Sequence, residues 1–140
     1  MTMNPCPLCQ ADNETVLWRD ELCRVILVDN PDYPAFCRVV WNAHVKEMTD
    51  LEGDEQGHLM AVVFALERAV RAHLNPDKIN LASLGNQIPH LHWHVIARFA
   101  DDAHFPDPVW AEKRRDGRPH RADRAALAAL LERHLASAIH

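Results

Sequence analysis

Gly85-Asn86-Gln87-Ile88-Pro89-His90-Leu91-His92-Trp93-His94-Val95-Ile96 is the stretch from which the fold can be read. Its second half alternates apolar and imidazole side chains, the period of a half-buried strand. Leu91, Trp93 and Val95 share one face and require a core beneath them. His90, His92 and His94 share the other, and the expectation is that all three rings open into a pocket. Histidine is the usual metal ligand and the usual acid or base near neutral pH. A solvated strand face and an open metal site built on all three rings are the competing explanations.

Outward from this stretch, Lys78 to Leu84 reads as a strand, Gly85 to Pro89 as a loop and His90 to Phe99 as a long strand. Upstream, Thr49 with Glu52 forms a capping box, and Leu59, Val62, Val63, Leu66, Val70 and Leu74 follow at steps of three and four. That stripe predicts the long helix of the domain, stopped at Asn75 and Pro76. Gly53 and Gly57 leave its first turns weak. Thr15 to Trp18 and Leu22 to Val28 read as a hairpin about a polar turn, Asp29 to Asp32 as a further turn, and Phe36 to Trp41 as the next strand. Downstream, Asp101 to Pro119 reads as a proline-bearing surface loop and Arg121 to Ile139 as a C-terminal helix. The order predicts an α+β fold: a largely antiparallel sheet, one long helix after the first strands, and a C-terminal helix. Residues 1–100 form the core with an N-terminal knuckle, and residues 101–140 add a loop and helix packed on the same domain.

With 140 residues, 48% apolar and 25% charged, the chain fits one globular domain with its own core. No apolar run reaches the length of a membrane span, and Met1 to Cys6 lacks the pattern of a signal peptide, so the expected location is cytoplasmic with no membrane partner. Fifteen Lys and Arg against 20 Asp and Glu give a net charge of −5, the wrong sign for a protein that binds nucleic acid through its phosphates. Ten histidines accompany a single Tyr. Cys23 and Cys37 sit inside apolar runs and read as small buried hydrophobes. Cys6-Pro7-Leu8-Cys9 has the gap that lets two thiolates reach one tetrahedral metal, although redox pairs share that spacing.

His90-Leu91-His92-Trp93-His94-Val95-Ile96 resembles the histidine triad motif at every position, and the Gly85 loop and order of elements are similar to that family from about Cys6 to Phe99. The tail after Ala100 has no counterpart in the motif. The resemblance implies nucleotide hydrolases and transferases that attack the α-phosphate of a nucleotide ester, anhydride or amidate. It implies that His92 is the nucleophile, with His94 as hydrogen-bond donor and acid for the leaving group. Backbone N–H groups of Gly85, Asn86 and Gln87 then cradle the phosphate, Asp29 with Asn30 reads the ribose, and Asn80 contacts ribose or phosphate. A neutral imidazole can attack phosphorus near pH 7 when its other nitrogen is held as a donor.

The resemblance further implies a structural zinc held by Cys6, Cys9, His44 and His90, with no organic cofactor, and a homodimer. Asn42 stands where zinc-bearing members more often have proline. The expected substrates are dinucleoside polyphosphates such as diadenosine tetraphosphate, or nucleoside phosphoramidates. Trp110 and the run Lys113, Arg114 and Arg115 are candidates for leaving-group contacts. A nucleotidyltransferase, a non-catalytic nucleotide-binding module and a zinc-knuckle nucleic-acid binder are the rival readings, the last disfavoured by the acidic balance.

Overall fold

The computed structural model describes residues 6–11 and 13–138. The first five residues, used above to judge a leader, lie outside that range, as do Ile139 at the expected end of the last helix and His140.

Five strands form one sheet: β1 (Thr15–Arg19), β2 (Cys23–Leu27), β3 (Cys37–Trp41), β4 (Lys78–Ala82) and β5 (His92–Arg98). Their order is β1-β2-β3-β5-β4, and every neighbouring pair is antiparallel. Among the described residues three α-helices complete the α+β fold: α1 (Pro7–Gln10), α2 (Gly53–Leu74) and α3 (Arg124–Ala138). Asp20 closes the first hairpin by accepting the N–H groups of Leu22 and Cys23, each at 2.9 Å.

The helical stripe packs as the period predicts. Leu59, Val62, Val63, Leu66 and Val70 are fully buried against Val25, Val39 and Val95 of the sheet, and Leu127, Leu131 and Leu135 of α3 join the same core. Each such side chain contributes about 1.5–3 kcal/mol by leaving water. Cys23 and Cys37 lie in this layer as free, fully buried thiols. Burial pushes the Cys37 thiol up to about 12, which makes it inert at neutral pH.

The start of α2 differs from the expectation. Thr49 lies within a short 3-10 turn (Met48–Asp50), and Glu52 is the N-cap, its N–H donating to Glu55 at 2.9 Å. Two capping devices follow in succession, because Glu47 and Asp50 form another such pair. Asp54 and Glu55 in the first turn complement the helix dipole and offset the weak glycines. Asn75 adopts a left-handed conformation and ends the helix before Pro76.

The tail is no mere surface loop. Asp102, Ala103 and His104 are buried on the sheet face opposite the helices. The Asp102 carboxylate accepts from Arg98 Nε and Nη2, Tyr33 Oη, and the backbone N–H groups of Phe99, His104 and Phe105. Although burial alone would raise its pKa, the Arg98 bonds and these backbone donors hold Asp102 well below the usual carboxylate range. Gly117, at φ +78°, lets the returning chain pass against Ala103. This knot carries residues 101–119 across the sheet and sets Trp110 beside the histidine strand.

Candidate functional site

Along β5, Trp93, Val95 and Ala97 turn to the helices, while His92, His94, Ile96 and Arg98 turn to the opposite face. β3 lies alongside with Arg38 opposite His94 and Val40 opposite His92. The expected long strand is shorter at its start. His90 sits in a bend before β5, where its N–H donates to the Ile88 carbonyl at 2.8 Å. Two imidazoles therefore face a cleft, and the third faces the cysteines. The alternation that predicted one shared pocket fails at His90 because the strand pairing has not yet begun there.

The cleft has a volume of about 280 Å3 and is lined by Arg38, His92, His94, Trp110 and the loop Leu84-Gly85-Asn86-Gln87-Ile88. Gly85 has φ +78°, a conformation that only glycine adopts without strain. Among the described residues, none of the Gly85, Asn86 and Gln87 amides donates to another backbone group. Ser83 ties the loop to the strand by donating to the His92 carbonyl at 2.9 Å. One wall is therefore this glycine loop, whose amides make no backbone hydrogen bond, set beside two imidazoles.

His92 Nδ1 lies 2.6 Å from the His90 carbonyl, which can only accept. That contact fixes the proton on Nδ1 and leaves Nε2 as a lone pair. Burial lowers the His92 pKa, the bond to His90 opposes that shift, and the Arg38 charge adds to it. His94 is pushed down to about 3 by burial, then by His92 and Arg38. Both shifts favour the neutral ring. His94 packs edge-on against Phe36, His92 and Trp110, with ring centroids 5.5, 4.9 and 5.0 Å away. Its Nδ1 and Arg38 Nε are the buried side-chain nitrogens without a partner among the described residues.

The second cluster lies at the other end of the motif. Cys6 and Cys9 Sγ are each 3.4 Å from His90 Nδ1, Cys9 Sγ is 3.2 Å from His44 Nδ1, and the two Nδ1 atoms are 3.2 Å apart. All four donor atoms lie within 4.8 Å of one another. Bonds of zinc length in a tetrahedron place such atoms about 3.4–3.7 Å apart, so the set fits one closed four-ligand ion. His90 Nε2 donates to the Trp41 carbonyl at 2.6 Å, which frees Nδ1 as the ligand and orients its ring. Asn42, in the place of the expected proline, accepts from Arg24 at 2.9 Å and donates to the Asp20 and Glu21 carbonyls, so a side-chain network holds the chain ahead of His44.

Other predicted residues lie apart from the cleft lining. Asp29 is exposed beyond the end of β2, and Asn30 Oδ1 accepts the Asp32 N–H in its own turn. Asn80 accepts from Arg98 Nη1 at 2.8 Å. Lys113 pairs with Asp32, Arg114 with Asp107, and Arg115 donates to the Asp102 and Phe105 carbonyls, so these charges brace the tail. The other described histidines include structural ones: His58 bonds Asp20, His104 meets Tyr33, and His120 stacks on Phe99. Arg38 escaped the sequence reading. Its signal was a lone cation in the apolar run Phe36-Cys37-Arg38-Val39-Val40, at the alternation position facing away from the helices.

The HIT domain family model matches residues 10–101, about two-thirds of the chain. The structure is similar to a histidine triad protein from Bradyrhizobium japonicum, with 28% identity, 89% of this chain and 92% of that chain covered, and a TM-score of 0.70. A histidine triad protein from Marinobacter aquaeolei is also 28% identical, with 93% of each chain covered and a TM-score of 0.70. A zinc-bound histidine triad family protein from Mycobacterium smegmatis shares the fold at 22% identity, with 94% of this chain and 91% of that chain covered and a TM-score of 0.61. No curated protein matches significantly. No helix among the described residues is long and apolar enough to cross a membrane.

Proposed function

The chain belongs to the HIT domain family, and from that premise we propose that it is a nucleotide hydrolase cleaving at an α-phosphate through a covalent nucleotidyl-histidine on His92. The observation that carries the reading is the 2.6 Å bond from His92 Nδ1 to the His90 carbonyl, which leaves Nε2 a nucleophile needing no base. In the first step Nε2 attacks phosphorus, the N–P bond forms, and the P–O or P–N bond to the leaving group breaks with its electron pair on the departing atom. His94 donates a hydrogen bond to the reacting phosphate or the departing group. Water then attacks phosphorus, the N–P electron pair returns to Nε2, and the water proton leaves with the product phosphate or solvent.

The free amides of Gly85, Asn86 and Gln87 support a role as donors to the phosphate oxygens, where charge grows in the transition state. Asp29 and Asn30 are assigned to the ribose, and Asn80, which also accepts from Arg98, to the ribose or phosphate. Cys6, Cys9, His44 and His90 hold zinc, which when bound supplies a structural crosslink and no chemistry at phosphorus. His90 thereby joins the N-terminal knuckle to β5 and sets the pitch of His92. The substrate is a dinucleoside polyphosphate or a nucleoside phosphoramidate, and the protein acts as a homodimer in the cytoplasm.

Mass spectrometry of protein quenched during turnover of diadenosine tetraphosphate tests this reading. The expected result is an adduct of nucleoside-monophosphate mass on His92, absent in His92→Ala. Turnover that persists in His92→Ala overturns the covalent route. Products formed with inorganic phosphate as acceptor, in place of water, would identify a transferase.

A further inference from the structure

Among the described residues four arginines stand on the sheet face that carries the histidines; Arg19 is exposed at the edge strand, and two of the other three are saturated. Arg24 donates to both oxygens of Glu14, to Asn42 and to the Leu8 carbonyl. Arg98 donates to both oxygens of Asp102, to Asn80 and to the Asp107 carbonyl. Arg38, between them on β3, makes no side-chain hydrogen bond among the described residues, and its Nε is buried. Among the described residues that line the cleft it is also the one Lys or Arg. The basic run of the tail is already engaged: Lys113 with Asp32 of the turn ahead of β3, and Arg114 and Arg115 within the tail.

Position gives this contrast a direction. Arg38 and His94 are register partners on adjacent strands, and the two buried nitrogens without partners belong to these two residues. A buried polar nitrogen left unmatched costs about 1–3 kcal/mol, and Arg38, which lines the cleft with no side-chain hydrogen bond, is the residue there whose guanidinium lacks an acceptor. Glu14, the acid whose charge Arg38 feels, has both oxygens bonded to Arg24, whereas a phosphate in the cleft offers Arg38 several acceptor oxygens and the opposite charge.

Resting on the hydrolase reading above, we propose that Arg38 is a specificity-determining residue that binds the anionic leaving phosphate, so that the preferred substrates are phosphoanhydrides. His92 Nε2 attacks the α-phosphorus, the bridging P–O bond breaks, and its electron pair stays on the bridging oxygen of the departing phosphate. The charge that grows there is met by the Arg38 guanidinium, with His94 as its register neighbour on β5. A phosphoramidate whose leaving group is an uncharged amine makes no use of Arg38.

Two measurements on the full chain decide this. Calorimetric titration compares adenosine 5′-phosphate with adenosine 5′-diphosphate, whose second phosphate stands in for the leaving group. Wild type should bind the diphosphate about tenfold or more tightly than the monophosphate, the size of one charge-assisted contact. Arg38→Gln should erase that preference, and Arg38→Lys should keep part of it. In kinetics, the ratio of kcat/KM for diadenosine tetraphosphate to that for an adenosine phosphoramidate of a neutral amine should fall about 10–100-fold in Arg38→Gln. Equal wild-type affinity for the two nucleotides overturns the proposal without recourse to any variant, as does an Arg38→Gln loss shared equally by both substrates. Diphosphate preference in a wild type that cleaves neither substrate would remove the hydrolase reading and leave the anion site standing.

Discussion

Replacing Asp102 by Asn is a demanding test of how the tail is held. Oδ1 of Asp102 receives Tyr33 Oη at 3.1 Å, Arg98 Nη2 at 3.1 Å, and the His104 and Phe105 N–H groups at 3.0 and 2.7 Å. Oδ2 receives Arg98 Nε at 2.8 Å and the Phe99 N–H at 3.0 Å. An amide nitrogen at either position meets only donors, and Arg98, with a side chain 3% exposed, loses its counterion. Breaking a buried, hydrogen-bonded pair from one side costs about 3–5 kcal/mol. For a chain of this length the unfolding entropy gives about 3 °C per kcal/mol, so the melting midpoint should drop by about 9–15 °C at pH 7. The sign with pH follows from the depressed carboxyl. Its stabilising contribution is complete above the unfolded carboxylate pKa and is lost as pH falls through the lower folded value, so the gap between wild type and Asp102→Asn should narrow in acid. Urea unfolding at pH 7 and at steps down toward pH 2 measures both effects. A gap below about 1 kcal/mol at neutral pH, or one that does not change with pH, would refute the assignment of Asp102 as the pin of the tail.

Two further outcomes follow from the same structure. Gly117→Ala should destabilise by about 1–3 kcal/mol, because its Cβ would lie 2.6 Å from the Ala103 backbone nitrogen at φ +78°; thermal melts that match wild type would show that the tail turn gives way freely. Purified protein should carry one zinc per chain by elemental analysis, and Cys6→Ala or Cys9→Ala should lose the metal and melt earlier; metal content unchanged in both variants would exclude the four-residue site.

Much of this molecule is local information. The period-two pattern from Leu91 to Ile96 and the three-and-four stripe from Leu59 to Leu74 each declare an element and its buried face, because burial acts on whichever side chains share a face. The Cys6–Cys9 spacing and the histidine spacing name donor types for the same reason. Closing the metal set required His44 and His90 to meet the cysteines across 35 and 81 residues, a juxtaposition made by the chain running alongside β3. Strand pairing beginning at His92 separated His90 from the cleft, and no residue pattern marks where a ladder starts. The tail looked like loop because its polar residues are buried by one another: Asp102 satisfies Arg98 and Tyr33, partners drawn from β5 and from the turn ahead of β3. Arg38 carries the same lesson. Its neighbours in sequence announce a buried strand, but whether a buried guanidinium is consumed by a carboxylate or left facing a cleft depends on what the fold sets opposite it, and hydrogen-bond partners are assigned in three dimensions.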